Sequence, residues 1–115
     1  MPRYQTHFFV PPDEDKAFGG RRHTRDKWER LKTDLYLKFG GCTFGPIHKG
    51  VYEDPDTGEP VEDESLQLIV ALEKSRIPEL REYLKKVVAP NFGQKVIYFY
   101  NGREVEYIKG AKTQQ

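Results

Sequence analysis

The chain has 115 residues, of which 37% are hydrophobic and 32% charged, and its net charge at pH 7 is +1. That length suits one domain with its own core, and no apolar run approaches the ~20 residues a spanning helix needs. Near-neutral charge gives no global attraction to nucleic acid or to an acidic partner. Cys42 is the single cysteine, so no internal disulfide forms. With no apolar stretch in Met1–His7, a reducing, cytoplasmic setting is expected.

Tyr4 to Val10 reads as a first strand, rich in aromatic and β-branched residues and stopped by Pro11-Pro12. Asp13 to Arg25 is a polar loop around Gly19-Gly20-Arg21-Arg22. It reads as a mobile surface connection; the alternative is an anion site held by Arg21 and Arg22. Asp26-Lys27-Trp28-Glu29 has the layout of a capping box and opens a helix over 27–39, with Trp28, Leu31, Leu35 and Phe39 on one face. Gly40-Gly41 ends it.

Cys42 to Glu53 reads as two short strands joined through Gly45-Pro46 and Gly50, and Asp54 to Gly58 as a turn. Ser65 to Glu73 alternates strictly and is the central strand. Ile77, Leu80, Leu84, Val87 and Val88 recur at helical spacing until Pro90, which is expected to stop the helix. Val96 to Tyr100 is a strand, Asn101-Gly102 a two-residue hairpin turn, and Arg103 to Ile108 a fifth strand. A single domain is expected over 1–110, with a polar tail at 111–115.

This order predicts an α+β fold, the ferredoxin-like split βαββαβ sandwich. An antiparallel sheet carries two helices on one face, with a C-terminal hairpin strand added. The strands around Phe8 and Leu68 are expected side by side in the centre. Alternation then turns Leu66, Leu68, Val70, Leu72, Phe8, Val10, Ile97 and Phe99 toward the helices. His7, Phe9, Gln67, Ile69, Ala71, Val96, Tyr98 and Tyr100 are left on the opposite face, too much apolar surface for a monomer to leave open.

That face is the candidate site. Phe9, Gln67, Ile69, Tyr98 and Tyr100 are its expected binding residues, and a second copy, most simply in a dimer, its expected cover. The enzyme alternative is a small-molecule pocket on the same face, with His7 as base and Tyr98 and Tyr100 as phenols beside it. A lesser alternative is RNA stacking on the tyrosines, but the basic-aromatic signature of that module is absent from the aliphatic central strand. Nucleic acid and membrane are not expected partners, and no cofactor is called for. No metal site is expected, because His7, His23 and His48 fall on separate elements. Cys42 reads as a small buried hydrophobe.

The charges are unevenly spread. Lys16 to Lys32 holds seven Lys or Arg against two acids, while Glu53 to Glu64 holds seven acids and no base. Two solvated loops are the plain reading, and two halves of a self-association surface or a binding site are the alternatives.

Gly40-Gly41-Cys42-Thr43, Gly50-Val51-Tyr52, Glu64-Ser65 and Phe92-Gly93-Gln94-Lys95-Val96 together resemble a pattern in a family of small uncharacterised bacterial proteins. There a Gly-Gly-x-Thr turn, a Gly-x-aromatic hairpin, an acidic-Ser strand start and a Phe-x-Gln segment follow in this order. The resemblance covers residues 40–97 and implies a ferredoxin-like fold without implying an activity. Tyr52 stands where tryptophan is commoner in that pattern.

Overall fold

The computed structural model describes residues 2–54 and 56–111. Residues 112–115 of the expected tail lie outside the described residues. Strand β1 (Arg3–Val10) alternates as its sequence demands: Thr6, Phe8 and Val10 are buried, and His7 and Phe9 point the other way. Pro11-Pro12 ends it, having no N–H groups to extend the ladder.

Helix α1 (Arg25–Phe39) begins two residues before the expected start, and its cap is Thr24 rather than Asp26. Thr24 is extended, and its hydroxyl accepts the Lys27 N–H at 3.3 Å. That leaves Asp26 inside the first turn, where a carboxylate complements the helix dipole. Glu29 pairs with Lys32 instead of reaching back. Gly40 closes the helix as expected, at φ 88°, with its N–H on the Tyr36 carbonyl.

The expected pair of short strands is one continuous strand, β2 (Thr43–Glu53), paired antiparallel with β3 (Pro60–Glu73). Phe44 pairs with Leu68 but Ile47 with Leu66, so β2 carries one extra residue between them. Gly45-Pro46 supplies this bulge, because proline cannot donate to the ladder. Beyond it, β2 and β3 leave the body of the protein as a two-stranded arm. Fourteen residues at about 3.3 Å each make β3 alone as long as the molecule's 45 Å axis. The tip is an Asx turn, with Asp54 Oδ1 accepting from the N–H groups of Asp56 and Thr57.

Helix α2 (Ile77–Tyr83) does not stop at Pro90. It continues through a π-helical stretch (Leu84–Val88) into a last turn (Ala89–Asn91) that contains the proline. A widened turn just before a proline relieves the clash of its ring with the preceding carbonyl. Strands β4 (Val96–Tyr100) and β5 (Val105–Lys109) follow. Their connection is wider than a two-residue turn: Asn101 Oδ1 accepts from the N–H groups of Arg103 and Glu104, which delays β5 to Val105.

The sheet order is β2-β3-β1-β4-β5, every neighbouring pair antiparallel, with Phe8 opposite Leu68 at the centre. Leu31, Leu35, Phe39, Leu80 and Leu84 of the helices meet Phe8, Leu68, Val70, Ile97 and Phe99 of the sheet in one core. This is the α+β ferredoxin-like arrangement with a fifth strand added.

The 13–25 segment is folded onto the core rather than left open. Asp13 bridges Arg22, Asp15 Oδ2 accepts the Lys95 N–H at 2.7 Å, and the His23 N–H bonds to the Pro12 carbonyl. Buried Gln94 donates to the carbonyls of Asp13 and Phe92, stapling the segment to the end of the second helix.

Candidate functional site

The face of the sheet away from the helices carries a continuous aromatic cluster. His7 sits 5.4 Å from Phe9 and 5.1 Å from Tyr100, between ring centroids, and lies nearly parallel to Tyr98 at 6.2 Å. Phe9 is 5.0 Å from Tyr98, and Tyr98 meets Tyr107 of β5 at 5.9 Å. Strand pairing produces this grouping: His7 is opposite Ile69 on one side and Tyr100 on the other, and Phe9 is opposite Gln67. Phe9, Gln67, Ile69, Tyr98 and Tyr100, separated by up to 91 positions in the chain, are therefore neighbours, all half-buried.

A member of this cluster escaped the sequence reading. Alternation counted from Thr43 without a bulge puts His48 on the helix side. The extra residue at Gly45-Pro46 reverses that parity, places His48 opposite Ser65, and brings its ring to 5.2 Å from Phe9. Its Nε2–H donates to Gln67 Oε1 at 3.0 Å. Gly45 is part of this arrangement, since a Cβ there would lie 2.6 Å from Gln67 Oε1. Gly-Pro inside a strand was the available signal.

Two imidazoles, an amide and phenols thus line this surface. Burial lowers the His7 pKa, and the nearby His48 lowers it further, which favours the neutral imidazole. A neutral imidazole among phenols can accept or relay a proton. Two open depressions of the chain lie elsewhere. One, of about 190 Å3, sits between the helices beside Lys27, Arg30, Asp34 and Tyr83. The other lies by Tyr4, Arg81 and Asn101.

The remaining candidates do not join this cluster. Arg21 pairs with Glu14 at 3.1 Å and Arg22 with Asp13 at 3.3 Å, while both guanidinium side chains stay nearly 80% exposed. Hydrogen bonding to Arg21 holds the Glu14 carboxyl below its ordinary value. Cys42 packs half-buried against the core, and burial pushes its thiol up. Among the described residues, no group of three or more His, Cys, Asp or Glu converges on a metal position. His23 is buried between Trp28 and Phe92, at 5.6 and 4.8 Å, with no well-formed hydrogen bond to either ring nitrogen.

No protein-family model and no curated protein matches the chain. Solved structures do match it. A phage SAM lyase in complex with S-methyl-5'-thioadenosine superposes with a TM-score of 0.67 at 18% identity, covering 98% of this chain and 94% of that one. Its apo state gives 0.65 at the same identity and coverage. A divalent cation tolerance protein (Cut A1) from Thermus thermophilus gives 0.52 at 17% identity, over 99% of this chain and 88% of that one. At such identities the likeness is one of fold. No helix among the described residues is long and apolar enough to cross a membrane.

Proposed function

We propose that this chain is a binding and assembly domain whose open sheet face is covered by a second copy of itself. One observation carries the reading: the aromatic cluster of His7, Phe9, Tyr98 and Tyr100 lies on a face over which no element among the described residues packs. Five strands about 4.8 Å apart and roughly 20 Å long present about 500 Å2 in projection, at the upper end of what monomers expose. A stable interface takes about 800 Å2 from each partner, and the β2–β3 arm extends the same sheet toward that size. Burying the cluster would contribute at about 25 cal/mol per Å2 of apolar surface. Light scattering at micromolar concentration should give a mass above 13.5 kDa, and Tyr98→Asp should return it to the monomer. A monomeric wild type at high concentration would remove the proposal.

The phage SAM lyase favours a second reading, because its structure holds S-methyl-5'-thioadenosine on a chain of the same fold. Here the ligand would be a small, planar, uncharged molecule of the nucleoside type, stacked on the tyrosines between two copies, with His7 as the proton acceptor. S-methyl-5'-thioadenosine is the probe. Its addition should shift the His7 and Tyr98 resonances of the wild-type protein, and His7→Gln should weaken binding. An unchanged spectrum at millimolar probe would leave assembly alone standing.

A further inference from the structure

The β2–β3 arm is exposed on both sides. On the side continuous with the helix layer, Ile47 and Val51 are 62% and 66% exposed, and Glu62 and Glu64 stand opposite Val51 and Lys49. On the other side Tyr52 is 52% exposed. An isolated two-stranded ribbon gains little from its own packing. Its seven acids from Glu53 to Glu64 form no ion pair among the described residues.

The complementary surface belongs to the same chain. Of the three acids in the 13–25 segment, Glu14 is held by Arg21 and Lys27 with its side chain only 10% exposed, Asp15 accepts the Lys95 N–H, and Asp13, 46% exposed, pairs with Arg22. The bases face out. Arg21 and Arg22 are nearly 80% exposed, and Lys16 and Arg25 are exposed with no ion pair among the described residues. Phe18 stands among them, 48% exposed. Folding has therefore sorted a mixed segment into a knob with a basic, aromatic outer surface.

We propose that the acidic, apolar arm of one copy docks on the basic knob of a second copy. The occupant is a second copy because both halves of the contact, opposite in charge and each with exposed apolar residues, are present on one chain. Seven residue pairs at about 3.3 Å, two strands wide, present only roughly 230 Å2 per side. The contact thus supplements the sheet face, and the inference rests on the assembly reading while naming what fixes its register. Opposed charges steer the encounter and suppress wrong pairings. In an arrangement where each arm lies on the other's knob, the area is gained twice.

The test is a charge swap on the full chain, read by sedimentation and light scattering. Glu62→Lys with Glu64→Lys makes the helix-layer side of the arm, which also carries Lys49, positive like the knob, and Lys16→Glu with Arg25→Glu makes arm and knob both negative. All four positions are exposed. Each double variant alone should associate at least about tenfold more weakly than wild type, since like charges across an interface repel. A mixture of the two should form a heteromeric assembly of wild-type strength, which also shows that both are folded. Wild-type association should weaken from about 50 to 500 mM salt. If both variants associate like wild type, or the mixture does not recover, the arm–knob contact is wrong. Tyr98→Asp separates the failures: monomers from that variant beside insensitive charge variants keep the sheet-face assembly and discard only this contact. Association of the positive variant with polyanionic RNA but not with the negative variant would make the partner a nucleic acid and overturn the inference.

Discussion

Leu68 and Ile69 are neighbours on β3 and meet opposite surroundings. Leu68 is fully buried against Phe8 and the helices, whereas Ile69 is half-buried beside His7 on the open face. The closed side is held by close packing, so its residue types follow from volume and apolarity. The open side mixes imidazole, phenol, amide and aliphatic groups over which no element among the described residues packs. The difference separates what holds the fold together from what the fold leaves open.

Truncation should expose this difference most strongly. Leu68→Ala should cost about 2–5 kcal/mol of folding stability, as large-to-small changes in a packed core do. Ile69→Ala should cost less than about 1 kcal/mol at concentrations where the protein is monomeric. Denaturant unfolding measures both, and equal losses would erase the distinction between the two faces.

A smaller effect comes from the rim of the closed side, where His23 is clamped between Trp28 and Phe92. Its pKa is lowered by burial first and by Lys27 next, with Glu14 and Asp13 opposing. The neutral form is thus favoured in the folded state. The associated stability is fully present above the unfolded value of about 6.5 and is lost as pH falls below it, because the unfolded chain takes up the proton first. The loss cannot exceed about 1.4 kcal/mol per pH unit for one proton. His23→Phe should flatten the stability profile between pH 6.5 and 5 relative to wild type. His7 also has a lowered pKa and adds a residual slope. An unchanged profile in His23→Phe would show that the imidazole is not held neutral by burial.

The smallest expected effect concerns the start of α1. Thr24→Ala should cost about 1 kcal/mol, and Asp26→Ala only a few tenths, because the Thr24 hydroxyl makes the capping bond. The reverse ranking would restore the capping box read from the sequence.

Most of the fold was legible because its strands alternate and its helices repeat at the proper period. Phe8 beside Leu68, the two helices on one side, and the outward set from His7 to Tyr100 all follow from counting residues. What escaped depended on groups far apart in sequence or on local geometry. The bulge at Gly45-Pro46 reversed the parity of β2 and brought His48 to the open face. The arm was hidden because Pro60–Glu64 reads as acidic loop, although its backbone pairs with β2 as a strand. Pro90 looked like a helix stop, yet a π-helical turn let the helix pass through it. The 13–25 segment read as mobile because its anchors, Gln94 and the Lys95 N–H, lie some 80 positions away.

The central claim is that a second copy covers the open face. Mixing isotope-labelled with unlabelled wild-type protein and recording only contacts between the two populations tests it directly. A covered face predicts intermolecular contacts to the Ile69 methyl groups and the Phe9, Tyr98 and Tyr100 rings, and none to Leu68 or Leu35. Intermolecular contacts confined to the helix layer, or none from a protein of monomer mass, would contradict it.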